Sequence, residues 1–141
     1  MQTWRENISN MPKLEYYLKF KTEFEMEQYL QKLHNKELRI TFTKFRLSSH
    51  NLNIETGRYK GVERNNRICQ CCNLEVVESE YHFLLICPKY AEIRKKYLNQ
   101  TSWQTIEKFT RLMSTKSKRK YTCIAKYLKE AETARLNHIN S

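Results

Sequence analysis

The stretch Ile68-Cys69-Gln70-Cys71-Cys72-Asn73-Leu74-Glu75-Val76-Val77-Glu78-Ser79-Glu80-Tyr81-His82-Phe83-Leu84-Leu85-Ile86-Cys87-Pro88 decides how the rest of the chain is read. Within it Cys69, Cys72, His82 and Cys87 follow the order Cys-x2-Cys-x9-His-x4-Cys, which gathers three thiols and one imidazole in a short span. Zinc takes four tetrahedral nitrogen and sulfur ligands, and gaps of this length are those its sites use. The two-residue gap lets a tight turn wrap the ion, while His82 and Cys87 can meet it from a helical turn and its end. A closed shell of four protein ligands leaves no position for substrate, so the ion would build structure. The plainer alternative is that these cysteines are small buried hydrophobes. Two such local pairs so close together favour zinc. Cys71 could replace Cys69 or Cys72, but a Cys-x-Cys pair closes a tighter ring, so Cys71 and Cys123 are read as bystanders. His50 could replace His82 and is the lesser candidate because it is remote in sequence.

The chain has 141 residues, 40% of them hydrophobic and 12% aromatic, with two glycines and two prolines. That length suits one domain with one core, and so few turn formers argue against disorder and against a β-sandwich. The expected fold is mainly α: a small helical domain stapled by a CCHC zinc site, with a short extended N-terminal segment. No apolar run is long enough to cross a bilayer, and Trp4, Arg5 and Glu6 follow Met1 where a secretory segment would be apolar. An intracellular protein, nuclear or cytoplasmic, is therefore expected, where thiols stay reduced.

Charge is the second signal. The 26 basic and 15 acidic side chains leave +11, which favours a polyanionic partner. Every acid is a glutamate, and these are spread through helical patterns instead of clustering as two-metal nuclease or polymerase carboxylates do. Gly-rich phosphate loops, Gly-x-Ser-x-Gly and His-Glu-x-x-His are absent from the sequence. No seat for catalysis is visible, and the chain is expected not to be an enzyme.

Periodicity divides the chain into an N-terminal segment (1–35), a helix, basic loop and zinc module (36–98), and a basic helical pair (99–141), all within one compact domain. Residues 13–26 alternate by two, through Leu14, Tyr16, Leu18, Phe20, Phe24 and Met26, and predict an extended segment; Leu14, Tyr17, Leu18 and Phe24 also fit a helix. Residues 27–33 predict a short helix, and Leu38, Phe42 and Phe45 predict another over 36–48 with Arg39 and Arg46 on one side. Residues 48–60 predict a loop with a forced turn at Gly57. Arg58, Lys60, Arg64 and Arg67 line its approach to the first ligand. Glu78, Ser79 and Glu80 predict a helix start, with acids at the positive end of the dipole. Pro88 suits the first position of the next helix, with Cys87 as its cap and Tyr90, Ile93 and Tyr97 as its buried stripe. Trp103, Ile106, Phe109 and Met113 mark another helix. The basic run Lys116, Lys118, Arg119 and Lys120 enters the last one, with Tyr121, Ile124, Tyr127 or Leu128, and Ala131 inward. Tyrosines 16, 17, 59, 81, 90, 97, 121 and 127 are read as core edges before base-stacking platforms.

Phe45-Arg46-Leu47-Ser48-Ser49-His50, Ile54-Glu55-Thr56-Gly57-Arg58, Arg67-Ile68-Cys69-Gln70-Cys71-Cys72 and Glu80-Tyr81-His82-Phe83-Leu84-Leu85-Ile86-Cys87-Pro88-Lys89-Tyr90 together resemble the C-terminal cysteine-rich region of reverse transcriptases from non-LTR retrotransposons. The resemblance covers roughly residues 13–98. Its most specific piece is His-Phe-Leu-Leu-x-Cys-Pro-x-Tyr-x-x-x-Arg, ending at Arg94. It implies zinc ligation by Cys69, Cys72, His82 and Cys87, and it places Arg46, His50, Gly57 and Arg58 in a recurrent approach loop. It further implies a module that grips element RNA or target DNA during target-primed reverse transcription. No polymerase palm and no endonuclease motif is present, so the resemblance reads as a detached tail, either an element remnant or a captured gene.

The expected function is thus a noncatalytic, zinc-dependent nucleic-acid-binding module for RNA or DNA, with any polymerase supplied in trans and no membrane partner. Arg46, Arg58, Lys60, Arg64, Arg67, Lys116, Lys118, Arg119 and Lys120 are its candidate phosphate contacts. The alternative is a structural or protein–protein interaction zinc domain whose charge keeps it soluble.

Overall fold

A computed structural model describes residues 11, 13–21, 27–99 and 104–141. Phe24, Met26 and Trp103, named above in two predicted elements, lie outside these residues. The described chain is mainly helical: α1 (Tyr17–Phe20), α2 (Gln28–Lys32), α3 (Lys36–Arg46), α4 (Asn53–Tyr59), α5 (Ala91–Leu98), α6 (Ile106–Met113) and α7 (Lys118–Ile139). Short 3-10 turns at Arg64–Asn66 and Pro88–Tyr90 and a π turn at His82–Ile86 complete it. The only pairing of extended backbone among the described residues is an isolated antiparallel bridge, Ile68 to Val77. No described helix is long and apolar enough to cross a membrane.

Helix α7 is the axis of the domain, and α3 and α5 both pack along it. It starts where Ser117 Oγ accepts from Lys120 N and buries Tyr121, Ile124, Ala125, Tyr127, Leu128 and Ala131 on one stripe. Helix α3 is capped by Asn35, whose side chain accepts from Leu38 N at 3.0 Å, and it turns Leu38, Phe42 and Phe45 inward. Edge-on rings join the layers: Tyr29 meets Phe42 at 4.7 Å and Tyr121 at 5.9 Å between centroids. Phe83, from the cysteine-rich segment, enters the same core against Tyr90 at 4.9 Å and Tyr127 at 6.2 Å. The cysteine-rich segment is therefore packed into the domain, not appended to it.

Two expectations are corrected. The described part of the alternating N-terminal segment is a turn leading into helix α1, because Tyr16 and Phe20, one helical turn apart, both set their rings against Phe109 of α6, at 5.6 and 6.1 Å. Residues 53–59, expected as loop, form α4, and Gly57 lies inside it. A Cβ on Gly57 would stand 2.6 Å from Arg67 Cγ, so glycine serves close approach there and not a turn. The left-handed turn falls at Gly61, φ +72°.

Candidate metal centre

Cys69 and Cys72 lie in the arm of the small hairpin that the Ile68–Val77 bridge closes, where Cys69 N donates to Val76 O at 2.9 Å. His82 and Cys87 come from the π turn, whose characteristic bond runs from Cys87 N to His82 O at 2.8 Å. That bond, reaching five residues back, ties the two candidate ligand residues to each other directly. Ser79 Oγ accepts from His82 N at 3.2 Å and fixes the start of the turn.

The sulfur atoms of Cys69, Cys72 and Cys87 and a ring nitrogen of His82 all lie within 4.8 Å of one another. Cys69 Sγ and Cys87 Sγ are 3.9 Å apart, and Cys72 Sγ is 3.5 Å from His82 Nε2. The edges of a zinc tetrahedron with ordinary bond lengths are about 3.8 Å between sulfurs and about 3.6 Å from sulfur to nitrogen. A disulfide would need about 2 Å, and all five cysteines are free thiols. His82 is buried, and its Nδ1 has no hydrogen-bond partner. The ring nitrogen that faces the cluster is Nε2, which meets Cys72 Sγ and no oxygen or nitrogen acceptor, an arrangement that suits a ligand. The cluster has the donor set and the geometry to hold a metal ion.

Burial and hydrogen bonding suppress thiolate formation at Cys69 and Cys72. The Cys69 thiol is pushed up to about 12, first by its hydrogen bond to Cys87 and then by burial, and burial also raises Cys72. A metal ion would have to displace those protons, which couples its binding to pH.

The surroundings sort the remaining candidates. Cys71 is buried and lies with Cys69 and Glu78 in a second, three-residue group, but Glu78 is already committed. It accepts from Asn53 N at 2.7 Å and from Arg135 Nε and Nη2 at 2.7 and 2.8 Å. Cys71 instead faces the Tyr90 hydroxyl, and Cys123 belongs to α7, outside both groups. His50 is not in the cluster: its Nε2 lies 2.8 Å from Glu80 Oε1, and its Nδ1 accepts from Leu52 N at 3.3 Å. Glu78 and Glu80, expected to serve a helix dipole, are buried partners of Arg135 and of Ser48 and His50.

The candidate phosphate contacts divide sharply. Arg46 is 4% exposed, bonded to Met113 O and to Glu27 at 2.8 Å, and stacked on Phe20 at 4.5 Å, so it is a core residue and not a surface contact. Arg58 pairs with buried Glu55 at 3.2 Å, and Arg64 grips Glu15 through two bonds, of 2.7 and 2.6 Å. Arg67 donates to Val62 O and Ile54 O at 2.9 and 3.0 Å, pinning α4 to the hairpin. Lys60, Lys116, Lys118, Arg119 and Lys120 are exposed. Tyr59 departs from the core-edge reading: it is 71% exposed, with Arg58 over its ring at 4.4 Å. Searches against protein-family models, curated proteins and solved structures find no match to this chain.

Proposed function

We propose that the chain is a noncatalytic module that holds one zinc ion at Cys69, Cys72, His82 and Cys87 and binds RNA or DNA through phosphates. In this reading it does the work of the cysteine-rich region of non-LTR retrotransposon reverse transcriptases, with any polymerase chemistry supplied by a partner. The zinc would fill a closed four-ligand shell and stabilise the hairpin and π turn that carry Phe83 into the core.

One observation carries the nucleic-acid part. Lys116, Lys118, Arg119 and Lys120 crowd the start of α7, whose first turn holds no acid, and no carboxylate among the described residues pairs with them. Cations at the positive end of a helix dipole are unfavourable by a few tenths to about 1 kcal/mol each. A polyanion laid across them relieves that repulsion. Lys60 adds an exposed cation at a separate place in the sequence, whereas the internal partners of Arg58, Arg64 and Arg67 leave them less to give.

The test is a salt series on RNA and DNA of unrelated sequence. The logarithm of affinity should fall linearly with log salt, and neutralising Lys118, Arg119 and Lys120 to glutamine should flatten the slope by up to about 0.9 per lost contact on duplex and about 0.7 on single strands. The loss should be alike for all sequences. Binding that ignores salt, or none at micromolar protein, would shift the reading to a protein-interaction domain, for which exposed Leu74 and Val76 at the hairpin offer an apolar contact.

A further inference from the structure

Arg94 of α5 is 6% exposed, yet no carboxylate among the described residues lies within ion-pair distance of it. Its guanidinium donates to Leu84 O at 2.9 Å, to Cys87 O at 3.0 Å and to the Tyr127 hydroxyl at 3.3 Å. The other two buried arginines each touch a carboxylate: Arg135 has Glu78 at 2.7 Å, and Arg46 has Glu27 at 2.8 Å, an oxygen it shares with Lys21 at 3.1 Å. A guanidinium taken out of water without a counter-charge is strongly unfavourable, and neutral carbonyls repay only part of that.

The missing negative charge is next door. One of the carbonyls that Arg94 grips belongs to Cys87, itself a member of the metal cluster. Three thiolates and a neutral imidazole around a divalent ion carry a net charge of minus one. The nearby Glu78 is cancelled by Arg135, and Glu80 turns one oxygen to His50 and Ser48. We propose that Arg94 is the counter-charge of the metal–thiolate centre, a positioning residue that holds the Cys87 end of the π turn and raises the affinity of the three-thiolate site for its ion. This rests on the zinc reading above. It also explains the ligand choice: enlisting Cys71 as a fourth thiolate would double the negative charge against a single buried cation.

The role of charge separates from that of a simple carbonyl clamp. Arg94→Gln keeps hydrogen-bond donors and loses the charge; Arg94→Lys keeps the charge and loses the fork. Zinc affinity is read by competition with a chromophoric chelator, the ligand set by the visible spectrum of the cobalt-substituted protein, and folding by urea titration with and without metal. Arg94→Gln should lose about 10- to 100-fold in zinc affinity, the range for residues supporting metal ligands, with unchanged cobalt bands. Without metal the variant should lose less stability than it does with metal, because the broken carbonyl bonds cost the same in both states and only the loaded site also loses its counter-charge. Arg94→Lys should bind zinc nearly as tightly as the wild type, and a tenfold loss in that variant alone would overturn the proposal even where Arg94→Gln fails to fold. Equal destabilisation of Arg94→Gln with and without metal, or wild-type affinity in that variant, would overturn it too. A wild-type protein that takes up no zinc would instead refute the metal reading itself.

Discussion

Replacing Arg135 with methionine should destabilise the hairpin side of the candidate metal centre from 57 residues away in sequence. Arg135 projects from α7 onto Glu78, which is 1% exposed, and the pair shares bonds of 2.7 and 2.8 Å. Glu78 in turn receives Asn53 N at 2.7 Å and stands 4.0 Å from Cys69 Sγ, so this one carboxylate links α7, α4 and Cys69. Removing the guanidinium leaves a buried charge with a single backbone donor, a loss of about 3–5 kcal/mol. Protonating a glutamate at neutral pH costs about 3–4 kcal/mol, and that escape route caps the penalty near the same figure. For a domain of ordinary stability this is a large share of the total, and the melting temperature should fall by on the order of 10 °C or more. Urea and thermal denaturation of the zinc-loaded protein measure it. Adding Glu78→Gln should recover part of the loss, since it removes the stranded charge. A cost below about 1 kcal/mol for Arg135→Met, or no recovery in the double variant, would refute the reasoning from buried-pair energetics.

Gly57→Ala should destabilise by about 1–2 kcal/mol despite alanine's better helix propensity, because its Cβ meets an Arg67 side chain pinned at both Val62 O and Ile54 O; chemical denaturation reads the sign, and stabilisation would contradict the packing. Burial holds the Glu55 carboxyl above its ordinary value against the opposing pull of Arg58. The folded state therefore keeps that proton more tightly than the unfolded chain, and stability falls as pH rises from the ordinary carboxylate value through the raised one, by at most about 1.4 kcal/mol per pH unit. Glu55→Gln should remove this component, so the difference in stability between wild type and variant should vary across that window; a constant difference would argue against the shift. Cys123→Ser should leave metal content unchanged, as measured by elemental analysis, since Cys123 lies in neither metal-ligand group.

The metal cluster was legible because each half of it is local. A two-residue gap and a four-residue gap each bring two side chains together within one turn, and spacing alone reports that. Helices α3 and α7 were legible for a similar reason: Leu38, Phe42 and Phe45, and Tyr121, Ile124 and Leu128, repeat at the helical period. Arg46 was misplaced because its surroundings are not local. Glu27 and Met113 reach it from opposite ends of the chain, and a sequence pattern carries no depth. Glu78 and Glu80 looked like helix-start acids, and only the folded chain brings Arg135, Ser48 and His50 to them. Gly57 shows the limit of a composition rule. Its neighbours and its type both point to a turn, but the reason for glycine is an arginine ten residues on that crosses helix α4.

The most direct test of the central claim is the zinc content of purified protein, measured together for wild type, Cys72→Ser and Cys71→Ser. The geometry of Cys69, Cys72, His82 and Cys87 predicts about one zinc per chain in the wild type and in Cys71→Ser, and its loss in Cys72→Ser. A wild type without zinc, or equal loss from Cys71→Ser and Cys72→Ser, would contradict it.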